Sequence, residues 1–161
     1  MASFKIIEFD DNTKTGLQRE PLGTVDFVFA VAPHHPLAHL PEPLSDSVLR
    51  QHRAVAIADS VQHGASASIG LLTGQDVFTV DNMASKLDAQ VRGLGSGFLP
   101  TCLAQPHVDS GRLVVKAVQR AQQQIRSNYA WRSKTNQGRA LQWWLAQLHS
   151  PVTRAALLGQ R

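Results

Sequence analysis

Four prolines fall within Pro33-His-His-Pro-Leu-Ala-His-Leu-Pro-Glu-Pro43, directly after the apolar run Val25-Asp-Phe-Val-Phe-Ala-Val-Ala32. Proline removes a backbone donor and locks φ, so this stretch excludes a regular helix and stiffens the path. It is the clearest linker-like segment in the chain. The run before it, rich in Val and Phe, suits a strand buried on both faces, as in a helix-covered sheet. A length of 161 residues then allows one ordinary domain or two small lobes.

The rest of the chain alternates strand and helix patterns. Phe4 to Phe9 reads as a short strand, and Leu17 to Leu22 as a second in which Pro21 forces an edge or an irregularity. Ser45 and Asp46 can cap a short helix through Val48, Leu49 and His52. Ala54 to Ala58 and Val77 to Val80 read as strands. Asp81 or Asn82 caps a helix whose Met83, Leu87, Val91 and Leu94 make one apolar stripe, and Gly93, Gly95 and Gly97 stop it. Strands are expected at Phe98–Pro100, Arg112–Val118 and Asn128–Arg132. A last helix, Gln137 to His149, carries Leu141, Trp144, Leu145 and Leu148 on one face. This mixed order predicts an α/β fold with a mainly parallel sheet.

Composition excludes several classes. Apolar residues make up 43% and charged residues 17%, enough to bury a core. A single cysteine rules out a disulfide framework and a multi-thiolate metal site. No apolar run reaches the roughly 18–20 residues of a membrane-spanning helix. Acidic Glu8 and the lack of a small-residue cleavage site argue against a signal peptide. A cytoplasmic setting without a membrane partner follows.

Specific chemistry is sparse. Gly93-Leu-Gly-Ser-Gly97 follows a helix and precedes a strand, the reverse of a nucleotide-binding loop. Leu94 stands where a nucleophile elbow around Ser96 needs glycine. His34, His35 and His39 cannot share a helical face across Pro36 and read as surface histidines in a bend, so no metal site is expected. Cys102 reads as a small buried residue. No carboxylate pair or triad stands out, so neither an enzyme nor a cofactor is predicted.

Charge is lopsided. Residues 1–100 hold seven Lys/Arg against eleven acids, and residues 101–161 hold nine against Asp109 alone. Arg126, Arg132, Lys134 and Arg139 interleave with Tyr129, Trp131, Trp143 and Trp144, a pattern that could stack single-stranded nucleic acid. The same aromatics suit core packing, with Trp143 off the stripe and free to cover an interface. A ligand site has one foothold: a strand ending at Thr79-Val-Asp-Asn82 feeds a helix whose first amides are free, with Asp59 and Ser60 at the end of another strand.

Four segments carry a resemblance. Val25 to Ala38, with its His35-Pro-Leu-Ala38 signature, resembles the end of the first effector subdomain of LysR-type transcriptional regulators. Gly93-Leu-Gly-Ser-Gly-Phe-Leu-Pro100, Ser110-Gly-Arg-Leu-Val114 and Gly138-Arg-Ala-Leu-Gln-Trp-Trp-Leu145 resemble later parts of the same domain, in the same order. The match runs from about Leu17 to Leu148.

The resemblance implies a type II periplasmic-binding-protein-like fold with two α/β lobes, the second complete and the first partial. Residues 1–32 would belong to the first lobe, 33–118 to the second, and 119–161 to the crossover back with the C-terminal helix. An effector would sit between the lobes and shift their arrangement. By family position Asp59, Ser60, Asn82 and Met83 would contact it, and Ala32, Pro33 and Pro100 would form the hinge and cleft floor. The implied partners are a small-molecule effector, an organic or aromatic acid, a second copy of the regulator, and promoter DNA reached only through an N-terminal helix-turn-helix that these residues lack. A nucleic-acid module on the basic half and a cytoplasmic two-lobe solute-binding protein are the alternatives. Without early first-lobe strands, Val25–Ala32 would be an exposed edge prone to aggregation.

Overall fold

The computed structural model describes residues 5–8, 17–58, 70–121, 123–132 and 138–159. The chain divides into two compact units, one of residues 1–25 with 124–161 and one of residues 26–123. It passes between them at Val25–Asp26 and returns at Gln123–Gln124, so the boundary expected at Ala32–Pro33 lies inside the second unit.

In the first unit, β1 (Lys5–Glu8) pairs antiparallel with β7 (Gln123–Arg132), Lys5 opposite Ala130 and Glu8 opposite Ser127. The opening half of β2 (Leu17–Val31) lies on the other side of β7. The two strands read separately from sequence are thus one strand. Pro21 is exposed and sits where β2 is the outer strand of this unit, the kind of position in which a sheet tolerates a proline. Leu22, Tyr129, Trp131 and Leu148 form the core, with Leu141, Leu145 and Leu158 packed on it. Tyr129 and Trp131 stack at 5.7 Å between ring centroids. The Tyr129 hydroxyl donates to Glu20 at 2.5 Å, and burial followed by that carboxylate pushes its pKa up to about 12. The helices are α4 (Arg139–His149) and α5 (Pro151–Leu157), the latter unforeseen and capped by Ser150. Trp144 is not on the buried stripe of α4. It is 47% exposed and meets Trp143, 57% exposed, edge to face.

In the second unit, the closing half of β2 pairs antiparallel with β5 (Gly97–Pro100) and with β6 (Val114–Val115). The segment expected to be an exposed edge therefore has partners here, and the strand expected at Arg112–Val118 shrinks to two residues. Elsewhere β3 (Ala54–Ile57) and β4 (Val77–Val80) run parallel. A mainly parallel sheet does not describe these pairings, since those of β1, β5 and β6 are antiparallel. Ala30, Leu99, Ala104 and Leu113 make the core, covered by Val28, Met83, Leu87, Val91 and Val108. The helices are α1 (Asp46–Leu49), α2 (Met83–Val91) and α3 (Thr101–Asp109). The α2 stripe ends at Val91, because Gly93 takes φ +73° and reverses the chain. The amides of Gly93 and Leu94 then bond to the carbonyls of Gln90 and Ala89, both at 3.0 Å, which closes the helix end and leaves Leu94 exposed.

The proline-rich stretch is packed rather than a free linker. It holds a single 3₁₀ turn, Pro36–His39, that buries Leu37 completely. His35 is not a surface residue either: it is 6% exposed, and its Nδ1 accepts the Leu37 amide at 3.2 Å. Burial, then neighbouring His52 and His34, lower its pKa below the ordinary histidine value. Lys116 ties the stretch down from beyond β6. Its Nζ donates to the carbonyls of Ala38 and Leu40 at 3.1 and 3.0 Å and meets Glu42 at 2.8 Å.

Candidate functional site

Strand direction decides where a site can form. The register pairs Ile57 of β3 with Val80 of β4 in parallel, so both strands end on the same side of the second unit. β5 joins that direction through a parallel bridge between Ala54 and Ser96, held by Val55 N–H to Ser96 O at 2.9 Å and Ser96 N–H to Arg53 O at 3.0 Å. The carboxyl ends of β3, β4 and β5 thus share one edge, the side on which open α/β sheets bind ligands.

Two glycines make this approach possible. A Cβ on Gly95 would stand 2.9 Å from both the Arg53 carbonyl oxygen and Val55 Cγ2, and one on Gly97 would stand 2.9 Å from Gln90 Nε2. The run Gly93 to Gly97 is therefore a helix stop and a close-packing device, not a phosphate loop.

Asn82 and Met83 lie on the shared edge, immediately after β4. Asn82 caps α2, its Oδ1 accepting the Ser85 amide at 2.9 Å. Beside it, the Ser85 hydroxyl donates to Asp81 at 2.7 Å, and that bond holds the Asp81 carboxyl below its ordinary range. Asn82 is exposed, whereas Met83 is half-buried and spends much of its side chain on the core. Pro100 is on this edge too, as the last residue of β5, opposite Phe27 in β2. The Thr101 hydroxyl next to it donates to the Asp26 carbonyl at 3.0 Å, beside the point where the chain enters this unit.

Ala32 and Pro33 do not join this group. β2 runs antiparallel to β5, so its end lies beyond Gly97, away from Pro100. At about 3.3 Å per residue, Ala32 stands roughly 16 Å along the strand from Phe27. Asp59 and Ser60 lie outside the described residues; they follow β3 by two and three positions in sequence.

Sequence reasoning missed two residues under this edge. Lys86 is 7% exposed and Gln90 is fully buried, one turn apart on α2. Burial pulls Lys86 down to about 8. Both are polar residue types that ordinarily face solvent, so their spacing on the helix gave no signal of burial. Among the described residues no group of three or more His, Cys, Asp or Glu side chains could hold a metal ion, and no helix is long and apolar enough to cross a membrane.

Residues 6–151 match the family model described as LysR substrate binding domain. A curated relative, the uncharacterized HTH-type transcriptional regulator YeeY of Escherichia coli K12, is 42% identical over 138 residues, 86% of this chain and 43% of the relative. The chain thus spans less than half the length of that relative. Among solved structures, the regulatory domain of NMB2055 (MetR), a LysR family regulator from N. meningitidis, matches with TM-score 0.66 at 14% identity, over 96% of this chain and 70% of that one. Full-length LTTR LysG from Corynebacterium glutamicum with bound effector Arg matches with TM-score 0.63 at 20% identity, over 98% of this chain and 52% of that one. At such identities the two structures attest a common fold.

Proposed function

The chain belongs to the LysR substrate binding domain family, and from that premise we propose that it is the ligand-sensing part of a transcriptional regulator, binding a small-molecule effector at the edge where β3, β4 and β5 end. The observation that carries the placement is the common carboxyl edge of those strands, with Asn82, Met83 and Pro100 brought onto it. Asp59 and Ser60, which follow β3 in the chain, complete the proposed contact set. The residue assignment of lobes follows the two compact units, with 26–123 as the second lobe in place of 33–118. The hinge then moves from Ala32–Pro33 to Val25–Asp26 and Gln123–Gln124.

The mechanism is population shift. An effector that binds one arrangement of the regulator more tightly than another favours it by that difference in affinity and by nothing else. DNA contact and assembly with further copies belong, in this reading, to the full regulator with its helix-turn-helix. A bound effector named Arg in LysG supports a small polar ligand as the general class. A chemically broad thermal-shift screen tests the reading, since a ligand of the folded state must raise its stability. At least one small molecule should raise the Tm, with the gain reduced in Asn82→Ala. A screen without a single stabilising compound overturns the reading, and so does specific, competitor-resistant promoter binding by residues 1–161 alone.

A further inference from the structure

The two units treat their positive charge differently. The second unit neutralises most of its cations internally: Arg53 meets Asp76, Arg92 meets Asp88, Lys116 meets Glu42 and Arg120 meets Asp46. From Ser110 to Arg161 the sequence holds nine Lys/Arg and not one Asp or Glu, and most of that stretch belongs to the first unit. There Arg126, Arg132 and Arg139 are exposed, and among the described residues none of the three meets a carboxylate. Glu20 of β2 is already engaged: it accepts from the Tyr129 hydroxyl and lies 3.3 Å from His149 Nε2.

The same unit exposes apolar surface. Four of the eight large hydrophobic side chains exposed among the described residues lie on its two short helices: Trp143 and Trp144 on α4, Val152 and Leu157 on α5. Such clustering marks an interaction surface more than scattered exposure does. Arg139 opens α4, and Trp143 follows one turn later on the same side. Ala140 and Ala146 are exposed around the indoles, so no bulky polar group shields them. The two rings meet edge to face at 5.0 Å and 77°, which makes them one wedge. Tryptophan and arginine are the residue types that most often anchor protein interfaces.

We propose that the exposed side of α4, with Arg139, Trp143 and Trp144, docks an acidic segment of another protein. Its carboxylates meet the Arg139 guanidinium, and its apolar side chains cover the indoles. Charge selects this occupant. A second copy would bring the same acid-free stretch and set like charge against like. Bases of a nucleic acid stack on open ring faces, whereas here each indole turns its edge or its face to the other, and Val152 and Leu157 give nothing to stack on. A carboxylate pairs with the planar guanidinium through two parallel bonds, so an acidic segment answers both features at once. The surface is separate from the effector edge, and the inference does not rest on that reading.

The test uses the full 161-residue chain and designed peptides of about sixteen residues, enough to lay an amphipathic face along a helix. The acidic peptide carries Leu and Phe at helical spacing with Glu between them. One control replaces each Glu by Lys, and another replaces each Leu and Phe by Ser. Tryptophan emission and calorimetry read binding at low and high salt. Wild type should bind the acidic peptide with a blue shift of the exposed tryptophans, bind it more weakly as salt rises, and prefer it to both controls. Trp143→Ala and Arg139→Glu should each weaken it about tenfold or more. Both positions are exposed, and an acid in the first turn favours a helix, so both variants should unfold close to wild type and lost binding is not lost structure. Variants that bind as wild type does, a Lys control that binds equally, or no acidic-peptide binding at all overturn the proposal. So do tighter binding of oligothymidylate or phosphatidylglycerol vesicles through the same residues, and a dimer in sedimentation that Trp143→Ala dissolves.

Discussion

The carboxylate of Glu42 divides between two partners: Oε1 meets Lys116 Nζ at 2.8 Å, and Oε2 accepts the Ala117 amide at 2.9 Å. These bonds, the Lys116 hydrogen bond first, hold Glu42 below the ordinary carboxylate range. Lys116 is 8% exposed and also serves two carbonyls of the proline-rich stretch. Lys116→Met should therefore lower the unfolding free energy by about 2 kcal/mol, since the Ala38 and Leu40 carbonyls lose their donor. Glu42→Gln should cost less than Lys116→Met, because the exposed amide keeps an acceptor for Ala117. Urea unfolding measures both, and equal losses would show that the ion pair matters more than the carbonyl bonds.

Lys86 makes stability depend on alkaline pH. Its folded pKa of about 8 lies below the unfolded value of 10.5, so between these limits the unfolded chain binds more protons. Stability then rises with pH across that window, and the penalty for burying the charge is complete below pH 8. The full swing is about 3 kcal/mol. Lys86→Met should exceed wild type by up to that amount at pH 7, with the difference vanishing near pH 10.5. A constant difference from pH 7 to 10.5 would place the ammonium in solvent.

His35 acts on the acid side. Its pKa is lowered from 6.5 in the fold, so as pH falls below 6.5 the unfolded state takes up the proton first and stability declines. The Leu37 amide, which donates to Nδ1, should exchange faster with solvent over the same range. His35→Asn keeps an acceptor for that amide and cannot titrate. It should abolish the acid-side loss of Leu37 protection, as read by hydrogen exchange at pH 7.5 and 5.5.

Gly95 and Gly111 separate two reasons for glycine. Gly95→Ala pushes a Cβ to 2.9 Å from the Arg53 carbonyl, a backbone atom that cannot swing aside, and should cost about 1–3 kcal/mol. Gly111→Ala meets nothing within 4 Å but sits at φ +70°, so it should cost about 1 kcal/mol from backbone strain alone. Thermal unfolding of both variants checks the ranking.

Local rules made much of this legible. The α2 stripe, its Asn82 cap and its Gly93 stop follow from spacing and φ preference, and the Tyr129–Trp131 face follows from strand alternation. What escaped depends on partners far away in sequence. Lys116 is buried because carbonyls 76 and 78 residues distant point at it, and no pattern around Lys116 encodes that. α3 was unreadable for a different reason: it starts without a side-chain cap and contains Pro106, so its start signal is missing and its interior carries a helix breaker. Trp144 was misjudged because a helical stripe predicts which side is apolar, not how far the covering elements extend. Of the residues expected from sequence, Asn82, Met83 and Pro100 come together where β4 and β5 end, whereas the burial of Lys86 and Gln90 lay hidden by residue type.

The tryptophans give the chain its own optical reporter. Trp131 is 6% exposed with an indole N–H that no acceptor meets, while Trp143 and Trp144 are about half exposed. Emission should therefore contain a blue component that soluble quenchers reach poorly and a red one that they reach freely. A molecule that settles on α4 will shift the red component alone, and unfolding of the first unit will move the blue one.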